Sequence, residues 1–491
     1  LNSIPLGNYP NQTNRFCPLL PRDTPYQLCS PWSHFGGIYN TNNRVSPFQG
    51  PTTGNLKYPV KNFSNEAATT SPIIDSDGTV YFFTIGYNIN NNQGCFLHAV
   101  KSDGTEKWKP LFFINQANIS ELVLGKNGIL YVPLLQVLQI SDSQYDFSTI
   151  IYAINTNNGS MQWNNPIIIP NIFVISSPVI GTNGVLYVMG LENFKGSETN
   201  DTNTIVYSIN TNNGSYQYPK ITFPNLFTTV NPVIDSNNIL YFTLTKNNGE
   251  LLFFRKCYLY AIDTKDGTNK WGPLPFDSDY SYNTNNIIMD NEGTLYMTIL
   301  SLTIKAETVA DTYIYAINSK DGSLKWKPKP MSLNGINANS ISFQPVIDKN
   351  GILYFNYYYN QLINSVYINA IDTRNGNFIW NNDVSFPQNQ IIFNSPLIDS
   401  SGIMYFITYF FDNDSSSITG KSTITYFNTI TKTIQQSKPF SNYSPSQFSA
   451  FKTISCSLGA DGTLYVLANA SPINGDGNTP WNTNLYAIND K

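Results

Sequence analysis

Charge is scarce in this chain. Asp, Glu, Lys and Arg make up 12% of 491 residues, 28 basic against 32 acidic, for a net charge of −4. No Lys/Arg run or basic stripe occurs, which excludes the electrostatic footprint of a nucleic-acid binder. Histidine is scarcer still. His34 and His98 are the only two, so a His-rich metal site is excluded and a Ser-His-Asp arrangement has little to rest on. No two cysteines are adjacent, and no G-x-S-x-G, phosphate-loop or dinucleotide-binding glycine pattern is present. No apolar run approaches the roughly 18 residues that a spanning helix needs.

What the chain has instead is repetition. One phrase recurs as HAVKSDGTEKW (98–108), YAINTNNGSMQW (152–163), YSINTNNGSYQY (207–218), YAIDTKDGTNKW (260–271), YAINSKDGSLKW (315–326) and NAIDTRNGNFIW (369–380), and breaks off as YAINDK (486–491). A second alternates with it, for example SPIIDSDGTVYF (71–82), SPVIGTNGVLYV (177–188) and QPVIDKNGILYF (344–355). Its tyrosine returns at Tyr81, Tyr131, Tyr187, Tyr241, Tyr296, Tyr354, Tyr405 and Tyr465, in steps of 50 to 60 residues, the signature of a repeat architecture. Each phrase reads as a hairpin: β-branched and aromatic runs flank a turn where Gly supplies positive φ and Asp or Asn bonds the backbone. Two hairpins per repeat make four strands, a to d, and eight repeats predict an all-β, eight-bladed propeller of four-stranded antiparallel blades.

The eighth repeat ends after its third strand. TGNLKYPVK (53–61) fits the missing G-x-x-K-[W/Y] strand with Gly54, Lys57 and Tyr58, so an N-terminal strand is expected to complete the last blade and close the ring. The seventh repeat is weakest, because TYFNTITKTIQQS (425–437) has neither the glycine nor the tryptophan. Two regions follow: a Pro/Asn-rich segment at 1–50 and the propeller at 51–491.

The pattern A-[IV]-[DN]-x-x-x-G-x-x-x-W, preceded by P-x-I-x-x-x-G-x-x-Y, resembles the repeat of the pyrroloquinoline-quinone (PQQ)-like, or quinoprotein-alcohol-dehydrogenase-like, eight-bladed propellers. The resemblance implies that Gly and Trp are blade-docking residues. Here these are Gly104 with Trp108, Gly159 with Trp163, Gly267 with Trp271, Gly322 with Trp326 and Gly376 with Trp380, while Gly214 carries Tyr218. An indole buries on the order of 200 Å², so packing explains the repeated phrase. The resemblance also implies a quinone held on calcium by carboxylates, with an Asp base and commonly a vicinal cysteine pair. The chain lacks that pair, and its Asp residues, such as Asp75, Asp77, Asp290, Asp348 and Asp461, mostly fall at hairpin turns.

The remaining motifs are sparse. Cys17 and Cys29 could clip the leader as a disulfide, and a Cys95–Cys456 bond is conceivable; otherwise Cys95, Cys257 and Cys456 read as small buried residues. Among the N-x-[ST] sequons, Asn11, Asn200 and Asn413 are the loop candidates for glycosylation. His34 is the better surface candidate of the two histidines, and His98, in the place of a repeat tyrosine, reads as structural. The chain opens on Leu1, which fits a processed form exported to an extracellular, lumenal or virion-surface location, and richness in Asn, Ile and Tyr fits an AT-rich genome such as a giant virus.

The expectation from these residues is a non-catalytic structural or interaction propeller, secreted or virion-associated and able to self-assemble. It would meet protein partners, possible glycans included, through the face carrying the long b–c loops and d–a linkers, with no catalytic, cofactor-binding or metal-binding residue and no expected cofactor. The alternatives are a PQQ-type quinoprotein oxidoreductase with calcium, and a carbohydrate-binding propeller that stacks sugars on Trp32 and Trp481.

Overall fold

The computed structural model describes residues 26–490, less 28–29, 38–41, 142–143, 193–201, 248–254, 277–279, 305–307, 332–343, 359–365, 388–389, 393–394, 412–419, 438–440, 444–454 and 471–481 and positions 31, 35, 119, 175, 229 and 284. The repeated turns close as their composition requires. In the first phrase the Asp75 N–H reaches the Thr79 carbonyl at 2.9 Å and the Gly78 N–H the Asp75 carbonyl at 3.0 Å, with Gly78 at φ 81°. Blade four has no glycine there, and Asn238 takes the left-handed position at φ 61°. In the second phrase the Gly159 N–H bonds the Asn155 carbonyl at 2.8 Å. The seventh repeat folds the same way: Lys432, at φ 58°, stands in the glycine's place and its N–H bonds the Asn428 carbonyl at 2.8 Å.

The hairpins assemble into eight antiparallel sheets. Their central b–c pairs include Val80–Tyr87 with Gln93–Val100 in blade one, Val185–Glu192 with Asn203–Asn210 in blade three and Thr294–Ile304 with Thr308–Asn318 in blade five. The last blade pairs Leu464–Ala470 with Asn482–Ile488, and Lys61–Phe63 then adds to Asn482–Ile488. Upstream, the Lys57 N–H bonds the Ala487 carbonyl at 2.8 Å. The N-terminal strand therefore closes the ring, and no blade edge is left open between the two ends of the chain.

Neighbouring blades are joined by a repeated contact. A Cβ on Gly159 would lie 3.2 Å from Trp108, one on Gly214 3.0 Å from Trp163, one on Gly322 2.8 Å from Trp271 and one on Gly376 2.7 Å from Trp326. Each indole thus lies on the glycine of the next blade. The indole N–H completes the contact: Trp108 donates to the Thr156 carbonyl at 3.1 Å, Trp163 to Thr211 at 3.1 Å and Trp271 to Ser319 at 2.7 Å. The repeat tyrosines use the same carbonyls, Tyr81 on Thr156, Tyr131 on Thr211 and Tyr241 on Ser319. Departures from the motif are filled locally. Tyr58 covers Gly104 at the closure, Ile221 rather than Tyr218 covers Gly267, and the Lys432 ammonium sits 5.2 Å from the centre of the Trp380 ring.

Candidate functional site

The innermost strand of most blades is interrupted. In blade one it runs 66–68 and resumes at 73–74; blades two, three, four, five and seven break likewise. Proline explains the break in blades one, three, four and seven, at Ser71-Pro72, Ser177-Pro178, Asn231-Pro232 and Ser395-Pro396, since it has no N–H for the ladder; blade six has Gln344-Pro345 at the matching place, and blade five breaks at Asn286-Ile287 without a proline. The first residue of the pair turns to the neighbouring blade. Asn231 Oδ1 accepts the Ser177 N–H at 2.7 Å, Asn286 Oδ1 accepts the Asn231 N–H at 2.8 Å, and Asn286 Nδ2 donates to Gln344 Oε1 at 3.0 Å. The result is a polar girdle on the inner side of blades one to seven, one residue per blade, hydrogen-bonded from blade one to two and from blade three to six.

Blade two breaks the pattern with Glu121-Leu122, and Glu121 is the one carboxyl in the girdle. Its Oε2 accepts the Ser71 N–H at 2.8 Å and its Oε1 the Ser71 hydroxyl at 3.1 Å. Burial pushes its pKa up to about 7, against those two bonds and the charge of Arg44, which pull it down. Glu121 keeps partial solvent exposure, as do Asn231, Asn286 and Ser395. The sequence signal for it was a lone acidic residue at a position that is otherwise Ser, Asn or Gln.

The floor of the channel comes from the N-terminal segment. The Ile74 N–H bonds the Trp32 carbonyl at 2.7 Å in blade one, and the Leu124 N–H bonds the Ser33 carbonyl at 2.9 Å in blade two. Tyr26 reaches Ile180 in blade three. Asn42 Nδ2 reaches the Pro232 carbonyl at 3.2 Å in blade four and the Ile287 carbonyl at 3.1 Å in blade five. Asn43 Oδ1 accepts the Ile347 N–H at 2.8 Å in blade six, and the Ser46 N–H bonds the Ile398 carbonyl at 2.8 Å in blade seven. Arg44 completes the circuit by donating to the Cys456 carbonyl in blade eight. Its guanidinium also lies 5.3 Å from the Trp32 ring centre, and burial pushes its pKa down. Gln27, Phe48 and Gly50 continue to the short-turn face, at Gly128, Ser400 and Asp399. The segment therefore closes the channel at its short-turn end, below the girdle.

Several expectations change. His34 is fully buried, not a surface residue: its Nδ1 accepts the Gly36 N–H at 3.2 Å, and burial pushes its pKa down to about 4. Trp32 is 0% exposed, so it cannot stack a sugar; Trp481 lies outside the described residues. Cys95 and Cys456 are buried thiols with no disulfide between them. His98 is buried beside Phe82 and Phe63, its Nε2 2.8 Å from Glu66 and 2.9 Å from Thr84 Oγ1. Cys17, Cys29, Asn11, Asn200 and Asn413 all lie outside the described residues.

A calcium-borne quinone asks for about 6–8 oxygen ligands with several carboxylates converging. Among the described residues no three His, Cys, Asp or Glu side chains come together as a ligand set. Glu121 stands alone in the girdle with a cationic Arg44 nearby. This donor set does not fit the metal.

The ring is the eight-bladed propeller that the quinoprotein alcohol dehydrogenases use. The chain is similar to a europium-containing methanol dehydrogenase, at 11% identity and a TM-score of 0.50, over 91% of this chain and 96% of that one. It is also similar to the quinohemoprotein alcohol dehydrogenase ADHIIG from Pseudomonas putida HK5, at 12% identity and a TM-score of 0.51, over 94% of this chain and 80% of that one. At such identities the likeness is one of fold. No protein-family profile matches the sequence, and no curated protein matches it. These neighbours correct the expectation of a non-catalytic structural or interaction propeller: they are a methanol dehydrogenase and a quinohemoprotein alcohol dehydrogenase, and favour the oxidoreductase alternative.

Proposed function

We propose that the protein is an oxidoreductase of the quinoprotein type, acting on a small alcohol at the girdle of its channel. Glu121 carries this reading. It is a carboxyl in a ring of neutral side chains, partly open to solvent, whose pKa of about 7 lets it hold or release a proton near neutral pH. In this role it takes the hydroxyl proton of the alcohol, the hydride would go to an acceptor of the quinone class, and the carboxamides of Asn231 and Asn286 orient the substrate. The fold of the two dehydrogenases supports the architecture only. The described residues do not offer a calcium ligand set for such a quinone. The same reading includes export, with Cys17 paired to Cys29 and glycans on Asn11, Asn200 and Asn413, which intact mass before and after reductant and glycosidase tests.

The test of the activity has two arms. Pyrroloquinoline quinone is titrated into the protein with and without calcium while tryptophan fluorescence is followed, and alcohol-dependent reduction of an artificial dye is assayed. The reading predicts quenching and turnover, with Glu121→Gln lowering turnover about a hundredfold or more while quenching persists. Absence of both quenching and turnover would sink it.

A further inference from the structure

We propose that the N-terminal segment between Tyr26 and Gly50 is a central pin that leaves the ring as one unit, opening the channel from end to end and uncovering Cys456. This inference does not rest on the oxidoreductase reading. Its basis is where the segment's hydrogen bonds go. The described residues bond the innermost strands of all eight blades, and their bonds among themselves are short-range: His34 with Gly36 and Gly37, Ser30 with Gln27, Val45 with Asn43 and Phe48 with Ser46. Among its described residues the pin has no helix or strand of its own, only the single bridge between His34 and Gly37. The ring supplies that shape, so neighbouring contacts are gained and lost together.

The pin is also seated at a cost. Among the described residues, Trp32 Nε1 and Asn42 Oδ1 are sealed from solvent with no hydrogen-bond partner. Each such atom gives up hydration without replacement, and burial disfavours the charged forms of Arg44 and His34. All are rehydrated when the pin withdraws. Past Gly50 the chain runs exposed through Thr52, Thr53, Gly54 and Asn55, where Thr52 and Thr53 bond Asp490 and the Asn55 carbonyl accepts the Asn489 N–H, so the withdrawn pin stays tethered at the ring closure. What the pin covers is chemically distinctive. Arg44 lies against both the carbonyl and the side chain of Cys456, on the inner strand of blade eight. Cys95 and Cys257, equally buried, sit on the third strands of blades one and four, away from the pin.

These three thiols make the experiment self-controlled. The full chain and the variant Asn42→Ala/Asn43→Ala, which loses the pin's side-chain bonds to blades four, five and six and keeps only the Gln344 Nε2 bond to the Asn42 carbonyl there, are exposed to a maleimide under native conditions, and labelling is read cysteine by cysteine by peptide mass spectrometry. Cys456 is expected to label about tenfold faster or more in the variant, from the loss of several hydrogen bonds of ordinary strength, with Cys95 and Cys257 unchanged. An unchanged Cys456 overturns the proposal, since blade eight would then not feel a break at blades four to six. Equal acceleration of all three thiols also overturns it, because the pin would then leave only when the ring unfolds. If the double variant does not fold, Asn43→Ala alone, which removes two bonds to Ile347, carries the same comparison.

Discussion

Asn42 Nδ2 lies 3.1 Å from the Ile287 carbonyl, 245 residues further along the chain. The same nitrogen reaches Pro232 in the preceding blade. One carboxamide therefore ties two blades together from inside the ring, and its position brings Arg44 under Glu121. The floor of the candidate site is built by residues that precede the first blade, and the wall by one residue from each of blades one to seven.

Glu121 makes stability depend on pH with a definite sign. Its folded pKa of about 7 lies above the ordinary glutamate value, so its contribution is complete below about pH 4.5 and is lost as pH rises through 7. Glu121→Gln should flatten that decline. Relative to the parent, the variant gains up to about 3 kcal/mol between pH 4.5 and 8. Thermal melts of both proteins across that range check it, and parallel curves would contradict it.

His34 acts in the opposite sense. Its folded pKa of about 4 lies below the ordinary histidine value, so its contribution is complete above about pH 6.5 and is lost as pH falls toward 4. A His34→Gln variant should lose less stability than the parent between pH 6.5 and 4, by up to about 3 kcal/mol. Urea midpoints at the two pH values give the comparison.

The glycines separate backbone strain from docking. Gly184 and Gly322 both have positive φ, at 72° and 75°, but a Cβ on Gly184 would meet nothing nearer than Thr211 Oγ1 at 3.6 Å, whereas one on Gly322 would lie 2.8 Å from Trp271. Gly184→Ala should cost about 1 kcal/mol, the left-handed penalty alone. Gly322→Ala should cost about 2–4 kcal/mol, because the indole must shift as well. Equal losses on denaturant unfolding would show that the indole contact contributes nothing.

Ring closure can be loosened at one residue. Tyr58, from the N-terminal strand, covers Gly104 of blade one. Tyr58→Ala should lower stability by about 2–4 kcal/mol. It should also raise hydrogen exchange first at the Lys57 and Asn489 amides, which bond across the closure. Uniform acceleration over all blades would argue against a local seam.

The two alternating phrases, their glycines and their tryptophans determined the propeller, because hairpin turns and blade docking are local rules repeated at a regular spacing. Even the strand that closes the ring was legible, since Tyr58 stands where the eighth repeat lacks its tryptophan. Blade seven was legible only from its first phrase. There Lys432 stands in the glycine's place with its ammonium beside Trp380 of the preceding blade, a pairing that the motif does not foretell. The site was not legible in the same way. Ser71, Asn231 and Gln344 look like ordinary pre-proline residues, and Glu121 looks like a surface acid, until closure sets all of them on one channel. His34 and Trp32 look like loop residues, yet both are buried. Sequence alone determined what each blade is. Only the closed ring decided which side chains meet at its centre, because those contacts join residues hundreds of positions apart, and burial there, not residue type, sets the ionisation of Glu121 and His34.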